Sequence, residues 1–478
     1  MLWFLFLLPW LVACLAMVMP SNRWRPWLVP IGGLAHLILT GFAVAGGPVT
    51  ILQDWLALDP LSILVLGFVS TLFFICSLYA PGYLAQRPER SNRVFCACLS
   101  SMLGMMTLVI MAHHLGLMWV AIEATTLATA PLLYFNHTPR SLEATWKYLL
   151  IGSVGIALAL LGTFCLAYSS IYEGLEPTLL LEDLVSLAPK LSMPWLHAAF
   201  VLLLVGYGTK MGLAPMHTWK PDAYGEAPGL VGALLAGGVT SCAFLAILRF
   251  YQICMNAPEA TFVREILIVI GLFSMAVAAV FMIRQRDFKR MLAYSSVEHM
   301  GILVLGIGIG GVAAFGALLH MITNGLTKGV LFLSAGNIHR AFGSKNTDDV
   351  QGAMKRLPIS GPLFLAGFLM VTGSPPGGPF ISELTILIGT IQAEKYLVAG
   401  LFLATMSIVF IGMGSTVLRV VQGVPSAKVA STPYRERPEL VIPIIVFFVL
   451  ALALGLWIPP PLETILHNAV AYLDGGVS

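Results

Sequence analysis

Apolar stretches long enough to cross a bilayer follow one another along nearly the whole chain. A span takes about 20 predominantly apolar residues, and by that length the sequence predicts about fourteen transmembrane helices. They fall at roughly 2–19, 27–45, 60–80, 95–112, 116–134, 145–170, 196–214, 229–250, 263–283, 292–309, 312–337, 358–388, 396–418 and 440–458. The expected fold class is therefore an all-α polytopic membrane protein. The first run, Leu2–Met19, has no basic n-region and is followed by Arg23 and Arg25, so it reads as a retained helix rather than a cleaved leader.

Loop charge supports this segmentation. With both termini on the outer face, 20 of the 26 Lys and Arg residues fall on the inner side, Lys220 and Lys428 among them. Only Lys190, Arg249, Arg264 and Lys395 fall outside, and Lys210 and Lys328 lie within spans. That asymmetry satisfies the positive-inside rule strongly. The longest outer loop, roughly 171–195, reads as lying partly against the membrane interface. The longest inner loop, roughly 419–439, carries Pro425, Pro433 and Pro438 and reads as a plain connector.

Composition narrows the function classes. The chain has 478 residues, 58% hydrophobic and 10% charged, with mean hydropathy +0.88; soluble proteins carry about 25% charged residues. Basic residues scattered singly in short loops make no nucleic-acid face, and no Gly-rich phosphate loop is present. Most of the seven cysteines sit in apolar segments. The one close pair, Cys96 and Cys98, lacks the further ligands of a zinc or iron–sulfur site, so neither metal nor cofactor is expected.

Four ionisable residues sit deep in apolar segments: Glu123, Lys210, Lys328 and Glu383. A charge at bilayer depth costs at least about 2.5–3.5 kcal/mol, so such residues mark an ion or proton path. Three spans also carry helix breakers near mid-membrane: residues 206–217 beside Lys210, Thr323–Gly325, and Gly373–Phe380 just before Glu383. Irregular backbone survives at that depth only inside protein or along a water-filled cavity, and discontinuous helices in corresponding positions of two halves point to a transport site. Five spans separate the first and third breaks, an odd number, which predicts two inverted five-helix repeats. The expected organisation is an N-terminal three-helix segment (1–94), repeats at 95–250 and 251–419, and an inner loop with the last helix (420–478).

The charges suggest a relay. Glu123 and Lys210 read as a switchable ion pair. His320, Asn324 and Lys328, spaced i, i+4, i+8, share one helix face over about 12 Å, and Glu383 would end the path. Weaker candidates are Lys147, which either faces Glu123 or snorkels, His217 near the inner surface, and Glu298 and His299, as readily interfacial as relay members. His113 and His114 read as solvated, and Asp222 and Glu226 as a surface loop at the mouth of the path.

The segments Trp119–Leu127, Lys210–Ala223, Arg286–Gly301 and Phe380–Glu383 resemble the antiporter-like subunits of respiratory complex I, of multisubunit cation/proton antiporters and of energy-converting membrane-bound hydrogenases. Ile122–Leu127, Ser141–Tyr148 and Ser295–Glu298 look most similar to component F of hydrogenase-4. The resemblance covers nearly the whole chain. It implies fourteen helices, two inverted five-helix repeats and a horizontal row of buried charges. Within that pattern Glu123 and Lys210 match the fifth- and seventh-helix ion pair, His320 and Lys328 the eleventh-helix His and Lys, and Glu383 the terminal ionisable residue of the twelfth. There are two departures. Ser241 stands where many relatives have an eighth-helix lysine, and Asn324 stands where a second eleventh-helix histidine is expected. The chain is also expected to lack the long lateral helix of the most distal complex I subunit.

The resemblance implies a proton-translocating subunit of a redox complex of the hydrogenase-4/formate hydrogenlyase or complex I type. Such a subunit is non-catalytic and cofactor-free. It works beside other membrane subunits and peripheral nickel–iron or iron–sulfur partners in the lipid bilayer of a bacterial or archaeal cytoplasmic (inner) membrane. An alternative is a Na⁺/H⁺ antiporter subunit or autonomous secondary transporter, and a third is a scaffold that keeps the fold around an inactive relay.

Overall fold

The computed structural model describes residues 2–430, 432 and 434–475; Pro433 and the side chain of Lys428 lie outside the described residues. Among the described residues, ten helices are long and apolar enough to cross a membrane. Beside these are the helices Leu2–Val18 and Met193–Met211 and the 32-residue helix Gly311–Phe342. Start signals in the sequence place several helix ends. Asp59 accepts from Ser62 N at 2.7 Å ahead of Pro60–Ala85. Thr138 and Ser141 form a reciprocal capping box ahead of Pro139–Tyr172, and Asp287 caps Phe288–Ile309.

Burial sorts the helices. Every residue in the most apolar 18-residue window of Gly229–Met255 is buried, against a third in Tyr396–Val421. The former therefore runs through the middle of the protein, and the latter turns most of its apolar surface outward, as a lipid-facing helix must. The polar and charged side chains are accordingly collected inside.

Two of the three expected breaks are present. The helix Met193–Met211 ends at Gly212 and resumes as the short helix Trp219–Glu226. The helix Ser360–Val371 stops, and Gly378–Gln392 follows after six irregular residues. In the first case the long half precedes the short, and in the second the short precedes the long. The third expected break, Thr323–Gly325, is absent: Gly311–Phe342 is continuous through it. Gly325 serves packing instead, because a Cβ there would lie 2.2 Å from the Phe68 ring.

Further elements were not foreseen. Leu235–Val239 is a π-helical turn within Gly229–Met255. Val49–Ile51 and Leu56–Leu58 form a small antiparallel hairpin. The amphipathic helix Pro460–Leu473 follows the last apolar span and buries Leu466, Ala469 and Leu473. The 171–195 segment packs on protein: it folds a short helix, Leu181–Leu187, whose Leu181 and Leu184 are buried.

Candidate functional site

The first break is made by Gly212, whose φ of +89° is a left-handed conformation suited to glycine. Gly212 N and Leu213 N both return to Gly208 O at 2.8 Å, closing the half-helix. This leaves Lys210 in the last turn, buried at 1% exposure. Its ammonium donates to Thr126 Oγ1 at 2.6 Å and to the Tyr148 hydroxyl at 2.8 Å. Thr126 in turn donates to Glu123 Oε2 at 3.3 Å. The expected Glu123–Lys210 ion pair is therefore not a direct contact. One hydroxyl bridges it, accepting from the lysine and donating to the carboxylate. Glu123 is only half-buried, and its other oxygen accepts from the exposed Ser153 at 3.2 Å.

The second cluster lies between three helices. Lys328, fully buried on Gly311–Phe342, donates to Ser295 Oγ at 2.7 Å. The carboxylates whose fields reach it are Glu298 and Glu383. His320 Nε2 and His299 Nδ1 share a hydrogen bond at 3.0 Å, and His320 Nδ1 meets Ser382 Oγ at 2.9 Å. Glu383 Oε1 lies 3.9 Å from His299 Nδ1. Glu298 and His299 are thus buried members of this cluster and not interfacial. The His320–Asn324–Lys328 stripe does not bond along itself; its end members reach across to Ser295 and His299 on Phe288–Ile309.

Several buried polar atoms between and around the clusters make no hydrogen bond within the protein: Tyr224 OH, Ser296 Oγ, Asn324 Oδ1, His299 Nε2 and both oxygens of Glu383. Such atoms are costly in apolar surroundings and are the places where water completes a network.

The remaining candidates scatter. Lys147 is part-exposed and pairs with Glu143 at 2.6 Å and Asp222 at 2.8 Å, away from Glu123. Ser241 spends its hydroxyl on Gly237 O at 2.6 Å within the π-helical stretch. His217 is buried beside Phe281 and Tyr294. Asp222 and Glu226 are helical, and with Arg140, Glu143, Lys147 and Arg290 they line a polar cavity of about 380 Å³. His113, expected to be solvated, is buried, because it joins Asp59 and Arg249 in an interior ion cluster. Arg249, expected in an outer loop, is buried for the same reason.

Sequence reasoning weighed charges and overlooked hydroxyls. Thr126, Tyr148, Ser295 and Ser382 carry the links, and all lie in or beside the segments singled out above. It also placed Lys220 in a loop, whereas that side chain is fully buried. As a metal set, His299, His320 and Glu383 bring one ligand atom each within 4.8 Å of one another. The two imidazoles are already hydrogen-bonded to each other, and His320 also to Ser382, which suits proton exchange.

Residues 112–409 match the family described as NADH:quinone oxidoreductase/Mrp antiporter, TM. A hydrogenase-4 component F homolog of Methylacidiphilum infernorum is 36% identical over 415 residues, 84% of this chain and 85% of that protein. NADH-quinone oxidoreductase subunit N of Desulforudis audaxviator is 33% identical over 350 residues, covering 71% and 67%. Among solved structures, a chain of the archaeal membrane-bound sulfane sulfur reductase superposes with TM-score 0.88 at 19% identity, over 99% of this chain and 97% of that one. A chain of Thermus thermophilus respiratory complex I superposes with TM-score 0.77 at 26% identity, over 95% and 96%. With this family match over more than half the sequence and the shared fold over nearly all of it, the chain is a member of the NADH:quinone oxidoreductase/Mrp antiporter family of membrane subunits.

Proposed function

We propose that this chain translocates protons as an antiporter-like subunit of an energy-converting redox complex of the hydrogenase-4/formate hydrogenlyase or complex I type. The observation that carries the reading is a pair of interior clusters of titratable groups held by hydroxyls: Glu123–Thr126–Lys210 in the first, and Lys328–Ser295 with His299–His320–Ser382 beside Glu383 in the second. Burying so many ionisable groups is unfavourable for a mere scaffold and is the ordinary design of a proton relay.

In this reading the fold crosses the membrane fourteen times with both termini outside and carries the inverted repeats at 95–250 and 251–419. Electron transfer occurs in peripheral subunits. A perturbation arriving at the half-buried Glu123 alters the field at Lys210 through the Thr126 bridge. The change propagates to Lys328, and a proton leaves by way of the His299–His320–Glu383 group. Moving one charge through 100 mV takes about 2.3 kcal/mol, comparable to about two units of pKa change at one lysine.

The test is purification of the native assembly followed by reconstitution in liposomes. Co-purifying nickel–iron or iron–sulfur subunits with electron transfer that acidifies one side supports the proposal. Cation/proton exchange by the assembly without any redox partner would replace it with the antiporter reading.

A further inference from the structure

Lys220 has no place in the relay described so far. Its surroundings nevertheless match those of Glu383 feature by feature. Each broken span has a left-handed glycine at the end of its first half: Gly212 with φ +89° and Gly373 with φ +70°. Each glycine makes room for an ionisable side chain from the second half. A Cβ on Gly212 would lie 2.8 Å from Lys220 Nζ, and a Cβ on Gly373 would lie 2.3 Å from Glu383 Oε2. The two side chains therefore rest on the two breaks in the same way.

Lys220 is 0% exposed and has no carboxylate partner among the described residues. Its ammonium donates to Met211 O at 2.8 Å, a terminal carbonyl of the first half-helix, and to Ser296 O at 3.5 Å. The carbonyl end of a half-helix is a favourable seat for a cation. Ser296 adjoins Ser295, which holds Lys328, and Lys328 is the charge whose field reaches Lys220. Tyr224, one turn on, has its ring centroid 5.5 Å from the ammonium and its hydroxyl unpaired, as is that of Ser296. On the other side of the same short helix, Asp222 and Glu226 line the polar cavity near the protein surface.

We infer that Lys220 is the central proton carrier of this subunit, standing between Lys210 and Lys328 and reached from the Asp222-lined cavity. Ser241, on the eighth span, is tied to its own helix backbone; the lysine is supplied instead from the second half of the broken seventh. In the step itself, the Lys220 ammonium gives its proton through the Tyr224 and Ser296 hydroxyls toward Lys328. The neutral amine then takes a proton from the cavity side, so charge and protons balance over one cycle.

This inference rests on the proposed function, and the experiment separates the two. Redox-driven proton translocation is measured in the reconstituted complex for Lys210→Met, Lys220→Met, Lys220→Arg and Tyr224→Phe, with assembly followed on native gels. Arginine keeps the charge and the carbonyl contact but does not release a proton at working pH. The expected result is a loss of at least about tenfold in translocation for Lys220→Met and Lys220→Arg alike, in assembled complex. Wild-type translocation with Lys220→Arg, while Lys210→Met is inactive, would make Lys220 a helix cap and overturn the inference. Wild-type translocation with Lys210→Met would instead overturn the proposed function. Tyr224→Phe, which keeps the buried ring, gives a reading even if the lysine variants fail to assemble. A slower rate with a displaced pH profile supports the role, and an unchanged rate and profile overturns it.

Discussion

Glu123 and Glu383, the carboxylates at the two ends of the proposed relay, are held in opposite ways. Glu123 is half-buried, and both of its oxygens accept hydrogen bonds, from Ser153 and Thr126. Glu383 is buried, and neither oxygen has a hydrogen bond within the protein. A satisfied, half-exposed carboxylate is suited to sensing a change at the subunit's flank. A buried, unsatisfied one is suited to gaining and losing a proton, since neither state is locked by fixed donors. In the proposed relay, this difference makes Glu123 the input end and Glu383 the exchanging end.

The largest expected effect tests that assignment. Glu383→Gln removes the exchanging group and lowers redox-driven proton translocation by about 100-fold or more, whereas Glu123→Gln, which keeps most of the hydrogen bonds, lowers it by about tenfold. The reverse order, measured as acidification of reconstituted vesicles, would break the comparison. The next effect concerns the bridge. Thr126→Val keeps shape but deletes the hydroxyl that joins Lys210 to Glu123, and translocation falls by about tenfold. Thr126→Ser keeps the hydroxyl and stays near wild type. Equal behaviour of the two variants would mean that the ends communicate without Thr126.

A third charged cluster provides the contrast of a fully paired site. Asp59 is bound by Arg249 and His113 at the end of Pro60–Ala85. Burial alone would raise its carboxyl, but Arg249 and His113 outweigh burial and hold it well below the usual carboxylate range. A carboxyl so depressed adds stability that is complete above the ordinary Asp range, about pH 4, and is lost as pH falls further. Asp59→Asn strands a buried arginine and costs about 3–5 kcal/mol of stability, read as a lower Tm in detergent. The wild type loses its advantage over the variant below about pH 4. A smaller effect, about 1–3 kcal/mol, is expected for Gly325→Ala, which overpacks against Phe68 without touching the charged row. Unchanged Tm in that variant would mean that the helices part easily at this contact.

The sequence displays the charged groups plainly, because an acid or base in an apolar run has no cheap structural reason to be there. Lys210, His320, Lys328 and Glu383 were therefore legible, and so were the breaks at Gly212 and Gly373, where glycine and proline accompany a charge. Thr323–Gly325 looked similar in composition, but no proline prevents helix there, and a small residue was needed against Phe68. Hydroxyls were illegible as links. Thr126 and Ser295 look like any polar residue tolerated in a helix until a lysine is seen pointing at them. Lys220 and Arg249 were misplaced by one rule, that basic residues near span ends belong to loops. That rule fails where a half-helix or an ion cluster draws the cation inward. Pro460–Leu473 was passed over because its amphipathic spacing falls short of a span.

The most direct test of the central claim is proton movement by assembled complex carrying Lys210→Met, measured in reconstituted vesicles while electron transfer is monitored in parallel. The variant complex is expected to assemble and to carry electrons without moving protons. Wild-type proton movement in that variant would contradict the claim.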